Sequence, residues 1–319
     1  MSGNMKDHLW LIGSGPMAID YIKVLNALEI SFQVISRGVD SSKKCELSTG
    51  AKVVHGGVEN HVRNCENFPS AAIVAVGVEQ LASVTKILLQ NGVKKILVEK
   101  PGGLNQSDIN SVFEETKKQN AEVYVAYNRR FYSSTQKAQK IISDDGGVTS
   151  YNFEFTEWSH KIADIKKAPG VKEVWLLANS THVIDLVFFL GGKPKDISCY
   201  VSGGLSWHPS GSIFSGAGIS ENGALFSYQA NWEAPGRWGV EVLTKKHRLI
   251  FRTMEKLQIQ NIGEIAINEA ELDDDLDRKF KPGLFQEVKA FMGGDYTNLV
   301  RIEDQLENLK YYQLINGSK

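Results

Sequence analysis

The segment that most restricts how this 319-residue chain can fold is Gly13-Ser14-Gly15-Pro16-Met17-Ala18, which directly follows the apolar run Leu9-Trp10-Leu11-Ile12. Its G-x-G-x-x-A spacing lies between a predicted strand and a predicted helix. The first glycine permits a tight turn, the second lets backbone approach a ligand closely, and the small Ala18 lets helix and strand pack together. Pro16 suits the first helical turn, where its missing N–H costs little. Backbone N–H groups at such a helix start favour an anion, above all a pyrophosphate. In this context Gly13, Ser14, Gly15, Pro16 and Met17 predict a dinucleotide-binding loop, with an ordinary glycine turn between packed elements as the alternative.

The pattern that follows agrees. Tyr21, Val24, Leu25 and Leu28 fall on one helical face. Strands are predicted at 32–35, 51–54, 71–76, 95–98 and 123–126, with helices at 81–89 and 109–119 between them. The run Ala71-Ala72-Ile73-Val74-Ala75-Val76 is continuously apolar, as in a parallel strand covered on both faces. This alternation predicts an α/β domain with a doubly wound parallel sheet of the Rossmann type over residues 1–126.

Beyond Asn128-Arg129-Arg130-Phe131 the rhythm changes. A helix is predicted at 135–142, Tyr151, Phe153 and Phe155 alternate with polar residues, and 224–232, 239–243 and 247–251 are rich in strand-forming patterns. Residues 127–319 are therefore expected to form an α+β domain with a mostly antiparallel open sheet and helices on one side. No internal repeat or low-complexity linker interrupts the chain.

The end of the second strand bears on the choice of dinucleotide. NAD sites usually place a carboxylate there to accept from the ribose 2′-hydroxyl. Here the strand ends Ile35-Ser36-Arg37-Gly38. Arg37 suits a 2′-phosphate, Ser36 supplies a hydroxyl donor, and no carboxylate opposes them. The expected cofactor is NADP, with NAD possible; an exposed arginine in a βα turn is the alternative. Val76 and Gly77, at the end of the apolar strand, extend the expected cofactor contacts.

Glu99-Lys100-Pro101 follows another apolar strand, so Lys100 falls at the carboxyl edge where open α/β sheets bind ligands. Pro101 restricts the backbone before it, and an ammonium there is suited to stabilising charge on a substrate oxygen. The glycine loop, this tripeptide, Tyr127-Asn128-Arg129-Arg130-Phe131 and His182-Val183-Ile184-Asp185 occur in this order. Together they resemble the Gfo/Idh/MocA family, the glucose–fructose oxidoreductase and inositol dehydrogenase group, over essentially the whole chain.

The resemblance implies a Rossmann domain followed by a domain whose open sheet often forms the oligomer interface, and substrates among sugars, cyclitols and nucleotide-linked sugars. It implies that Lys100 and His182 are catalytic, and that Asn128 and Arg129 line the nicotinamide and substrate pocket. Glu99, Lys100, Pro101 and Asn128 join the expected cofactor contacts. Lys100, Arg129, Asn179, His182 and Trp238 are the expected substrate contacts. One departure matters: family dehydrogenases commonly carry Asp four residues before this histidine, where this chain has Ala178. The usual Lys–Asp–His arrangement is thus incomplete. Ketone or imine reduction, or another proton donor such as Tyr127 or His160, stays open.

Read from position, Asn179 or Ser180 caps a helix running to Gly191-Gly192, which puts His182 in its first turn. The positive helix end there disfavours imidazolium and leaves a neutral base. Asp185 is placed to orient the ring or to favour the helix start.

Composition excludes other classes. With 36 basic and 37 acidic residues, no bias toward nucleic acid or an anionic membrane exists, and no apolar run reaches the length of a membrane span. No leader-like segment precedes the first strand, since Met1-Ser2-Gly3-Asn4-Met5-Lys6-Asp7 is polar. Cys45, Cys65 and Cys199 are odd in number and widely spaced, which fits a reducing cytoplasm, and no metal site is expected. Trp158, His160, Trp175, Trp207, His208, Trp232 and Trp238 all fall in the expected second domain. Such rings stack on sugars but equally build cores. The segment Trp232 to Trp238, with Arg237, is the best pocket candidate among them. The expectation is an NADP-dependent oxidoreductase, a homo-oligomer through its C-terminal sheet, acting on a small carbohydrate-like substrate. A non-catalytic dinucleotide-binding regulator on the same fold is the alternative.

Overall fold

The computed structural model describes residues 9–317; the polar run Met1–Asp7, read above for a leader, lies outside them. The chain forms two compact units. One comprises the chain up to Tyr127 together with Leu284–Glu307, and the other comprises Asn128–Gly283 with the chain from Asn308 onward.

In the first unit, β1 (Leu9–Ile12), β2 (Phe32–Ser36), β3 (Val53–His55), β4 (Ala71–Val74), β5 (Lys95–Glu99) and β6 (Glu122–Ala126) form one parallel sheet. Its helices are α1 (Pro16–Ala27), α2 (Val39–Thr49), α3 (Gly57–Arg63), α4 (Leu81–Gln90) and α5 (Gln106–Lys118). The order β6-β5-β4-β1-β2-β3 reverses between β1 and β4, the switch point at which open α/β sheets bind ligands. β1 and β4 are buried along their whole length, which is why they read as unbroken apolar runs. α1 packs Ala18, Tyr21, Ile22, Val24 and Leu25 inward.

The second unit carries α6 (Ser133–Asp144), β7 (Ser150–Glu154), α7 (Ser159–Ile162), α8 (Thr181–Gly191), β8 (Pro194–Ser202), β9 (Ile213–Ser220), β10 (Leu225–Asn231), β11 (Gly239–Leu243), β12 (His247–Phe251), β13 (Gln258–Asn261), β14 (Asn268–Glu269) and α9 (Asp275–Lys279). Its eight strands lie in the order β14-β13-β12-β11-β7-β10-β9-β8, antiparallel except for the β7–β10 pair. The alternating Tyr151, Phe153 and Phe155 all face inward, as the period-two pattern requires. Tyr151 stacks on Phe226 at 5.0 Å and Phe153 on Tyr228 at 5.3 Å, and Phe188 of α8 meets Phe153 edge-on at 6.0 Å.

The chain then returns to the first unit through α10 (Leu284–Gly293), β15 (Val300–Arg301) and the start of α11 (Ile302–Ile315). β15 extends the first sheet by pairing antiparallel with β6. A single boundary after residue 126 does not contain this return. A two-residue strand carries too little pattern to be read from sequence.

α10 brings Glu287 into the interior of the first unit, where neither carboxylate oxygen has a hydrogen-bond partner. Burial, then the nearby Glu99, pushes its carboxyl well above the usual range. Glu99 itself accepts a 2.9 Å hydrogen bond from the Tyr21 hydroxyl. Because the folded value is raised, the folded protein keeps a proton that the unfolded chain releases as pH rises above about 4.5. Glu287 therefore costs stability progressively as pH climbs through that window. Glu287→Gln should raise the thermal midpoint by about 2–4 °C at pH 8 and change it little at pH 4.5. A gain of equal size at both pH values, by scanning calorimetry, would contradict this account.

Candidate active site

Gly13 is where the glycine loop meets the sheet. Its φ is +126°, and a Cβ there would stand 2.2 Å from the Ala75 carbonyl oxygen. Only glycine fits so close to the end of β4. Its N–H donates to the Ile35 carbonyl at 2.9 Å, which ties the loop to the end of β2. Gly15 is the N-cap of α1, with Pro16 next; no side chain caps this helix start, and the space a Gly15 Cβ would fill is open. The free N–H groups and the missing side chain form a cradle that fits a pyrophosphate.

At the end of β2 the structure divides the two expected 2′-phosphate ligands. Ser36 is buried, with its hydroxyl 2.7 Å from that of Ser14, which in turn donates to Ser41 at 2.9 Å. Arg37 is exposed and donates to Gln80 Oε1 at 3.0 Å. Ser41, in the first turn of α2, is the hydroxyl nearer the surface. It was not foreseen, because α2 has almost no apolar periodicity. Val76 and Gly77 follow β4, and Gly77 is extended rather than left-handed.

β5 delivers Glu99-Lys100-Pro101 to the same edge of the sheet, with a cis Lys100–Pro101 peptide. The Pro101 carbonyl accepts a 3.1 Å hydrogen bond from Gln305 Nε2, and the same carboxamide meets the Tyr127 hydroxyl at 3.1 Å. Gln305, fully buried on α11, thus positions the turn that carries Lys100. Nothing local in the sequence signals it. Tyr127 is buried with its hydroxyl on Gln305, which suits packing rather than proton donation.

In the second unit α8 continues from a π-helical turn, Leu176–Ser180. The Ala178 N–H already bonds the Val174 carbonyl at 2.8 Å, so helical backbone begins upstream of His182. Ser180 holds the N-cap position of α8, which puts His182 in the first turn as read, but neither Asn179 nor Ser180 caps a backbone N–H with its side chain. Their side chains instead donate to Glu157 Oε1 at 2.9 and 2.8 Å. The argument from a free positive helix end therefore does not reach His182, which is half-buried with its ring tilted toward Trp238 at 6.1 Å. Such π-helical turns are concentrated at functional sites.

Asp185 does not orient His182 either. It is buried and takes two hydrogen bonds from Arg130, at 2.8 and 2.7 Å, while the guanidinium lies over Phe189. This bidentate pair ties the 3₁₀ turn Asn128–Phe131 to α8. Asn128, an expected cofactor contact, is buried and donates to the Pro282 carbonyl at 2.9 Å.

Glu157 is the residue that the sequence reading missed. Continuing the alternation Tyr151, Phe153, Phe155 by one more step lands on it, facing inward. Burial raises its carboxyl above the usual range against the opposing pull of Ser180, Asn179 and Arg237. Arg237 Nη1 stands 3.9 Å from its Oε2, and that guanidinium lies between the Trp158 and Trp238 rings, 4.7 Å from each. Arg129 lies 4.9 Å from the Trp238 ring. The structure thus brings Arg129 and His182, two of the expected substrate residues, around a third, Trp238, and joins a fourth, Asn179, to them through Glu157 and Arg237.

The remaining aromatics build core. Trp232 stacks on Trp207 at 5.8 Å and donates to the Phe155 carbonyl, and buried His208 packs on Trp232 at 4.7 Å. His160 is exposed on α7. The segment Trp232 to Trp238 is therefore split, with its first ring in the core and Arg237 and Trp238 at the cluster. Among the described residues no group of His, Cys, Asp and Glu is arranged to hold a metal, and no helix is long and apolar enough to cross a membrane.

Residues 8–127 match the family model described as oxidoreductase family, NAD-binding Rossmann fold. None of the curated protein sequences matches the chain. Among solved structures it resembles a levoglucosan dehydrogenase in complex with NADH and levoglucosan (TM-score 0.77, 16% identity, 98% of this chain and 96% of that one). It also resembles the UDP-N-acetylglucosamine 3-dehydrogenase GnnA from Acidithiobacillus ferrooxidans (TM-score 0.75, 13% identity, 98% and 97%). A third is the WlbA dehydrogenase from Chromobacterium violaceum in complex with NADH and UDP-GlcNAcA (TM-score 0.73, 14% identity, 99% and 96%). These likenesses show the fold: a Rossmann-like parallel sheet and a second, mostly antiparallel one.

Removing one member of a buried ion pair leaves an uncompensated charge, at a cost of about 3–5 kcal/mol. Asp185→Asn should therefore lower the stability of the second unit by about 3 kcal/mol or more. Urea unfolding followed by tryptophan fluorescence reads it, because five of the six tryptophans lie in that unit. An unchanged midpoint would show the pair to be dispensable.

Proposed function

With residues 8–127 in the Gfo/Idh/MocA oxidoreductase family, we propose that this chain is an NADP-preferring oxidoreductase acting on a sugar, nucleotide sugar or sugar acid. The observation that carries this reading is the uncapped start of α1 above Gly13 and Gly15, a fitted seat for a dinucleotide pyrophosphate. Gly13, Ser14, Gly15, Pro16 and Met17 hold the phosphates. Val76, Gly77, Glu99, Lys100, Pro101 and Asn128 are assigned to the remainder of the cofactor. Arg37 takes the 2′-phosphate, supported by Ser41 as the accessible hydroxyl and by the absence of a carboxylate at the end of β2; Ser36 acts through Ser14.

When bound, a nicotinamide supplies or accepts the hydride. Lys100 hydrogen-bonds the reacting substrate oxygen and stabilises negative charge developing on it. His182 holds or releases the proton of that oxygen. Arg129, Asn179 and Trp238 bind the substrate, with Asn179 oriented by its bond to Glu157. Glu157 also answers the loss of the family carboxylate at Ala178, because it supplies a buried carboxyl beside the neighbouring Asn179. Tyr200, Ile213 and Leu225 are exposed on one face of the second sheet and support a homo-oligomer formed there. The unbridged cysteines support a reducing compartment, the cytoplasm. A non-catalytic dinucleotide-binding regulator is the second reading, favoured by Ala178 alone.

Lys100→Met and His182→Ala should each lower NADPH-dependent turnover of a keto-sugar by about 100-fold or more. NADPH binding without turnover across keto-sugars and nucleotide sugars would favour the regulator. Arg37→Asp should reverse the cofactor preference, raising the Kd for NADPH about tenfold or more while sparing NADH. Equal effects on both cofactors, by fluorescence titration, would remove the NADP assignment.

A further inference from the structure

Arg129 stands out among the charged groups of the second unit. Its guanidinium lies 4.9 Å from the Trp238 ring centre and 5.8 Å from that of Tyr132, and its buried Nε has no hydrogen-bond acceptor. No described carboxylate lies within ion-pairing distance of it. The neighbouring Arg130 spends its charge on Asp185, and Glu157 is taken up by Ser180, Asn179 and Arg237. The Trp238 Nε1 group beside it is also buried without an acceptor.

A buried charge is ordinarily paired, because water no longer solvates it. Ring faces compensate a guanidinium only in part. Around Trp238 two guanidinium groups face Glu157, which burial already biases toward its neutral form, while Glu255 acts on Arg129 only from beyond ion-pairing distance. The cluster carries a guanidinium with no ion-pair partner and two unused donors, so the partner that completes it is an acceptor-rich anion. A planar carboxylate matches the guanidinium fork and fits beside stacked rings.

We propose that the substrate of this site is an acidic sugar, whose carboxylate pairs with Arg129 and whose ring lies against Trp238. This rests on the substrate role given above to the Trp238 cluster and narrows it to one chemical class. Arg129 is then the residue that separates a sugar acid from the corresponding neutral sugar.

The test uses the full chain with saturating NADPH and matched pairs of probes: glucuronate against glucose, galacturonate against galactose, and UDP-glucuronate against UDP-glucose. Binding is read by calorimetry. At least one acid should bind about tenfold or more tighter than its neutral partner, the discrimination expected of one charge-assisted hydrogen bond. Arg129→Gln should abolish that preference, and Arg129→Lys should restore part of it. If no acid outbinds its neutral partner in the unaltered protein, the proposal is overturned, whatever the variants do. Neutral sugars bound and turned over in that case leave the oxidoreductase reading standing. An acid preference that survives Arg129→Gln also overturns the assignment of this residue.

Discussion

The absence of one carbon atom at residue 13 governs the first unit. Gly13 lies so close to the Ala75 carbonyl that any side chain would collide with it. That approach lets the loop leave β1 at the point where strand order reverses, and lets α1 begin immediately above it. The seat assigned to the pyrophosphate depends on that start: the uncapped N–H groups, the open space over Gly15 and the Ser14 hydroxyl that meets Ser36. The small Ala18 then seats α1 against the sheet. Without this close approach the helix start and its positive end would stand away from the switch point.

The second unit rests on different physics. Its aromatic ladder on β7 and β10 is closed from one side by Phe188 of α8, and the Arg130–Asp185 pair fixes the turn from which Arg129 projects. The polar groups around Trp238 are arranged on that base. Glu157 is held where the strand pattern of β7 runs out, and it restrains Asn179 and Ser180 in the π-helical turn before α8. Two arginines thus stand side by side in Asn128-Arg129-Arg130-Phe131, Arg130 paired with Asp185 and Arg129 without an ion-pair partner.

Much of the first unit was legible because its physics is local. Continuous apolar runs marked β1, β4 and β5, and glycine spacing marked the loop. α2 was not legible: only Ser42 and Cys45 of its Val-Asp-Ser-Ser-Lys-Lys-Cys-Glu-Leu-Ser-Thr sequence are buried, so no helical period exists. β8 and β9 were missed because much of β8 and alternate residues of β9 are exposed and β9 is glycine-rich. In the candidate site, Lys100 and His182 stood out through order and motif. Gln305, Glu157 and the true partner of Asp185 did not, because each acts over a long sequence separation, up to 204 residues for Gln305 and Pro101. The expected cap on α8 failed for the same reason: Asn179 and Ser180 had a distant carboxylate to satisfy.

The account stands or falls on hydride transfer between the nicotinamide and a sugar carbon. The direct measurement is mass spectrometry of the sugar product formed from a keto-sugar and NADPH deuterated on the transferable face of C4. The account predicts one deuterium on the carbon that was the carbonyl, with stoichiometric oxidation of the cofactor. A converted sugar without the label, or a bound cofactor that stays reduced across the keto-sugars tested, would contradict it.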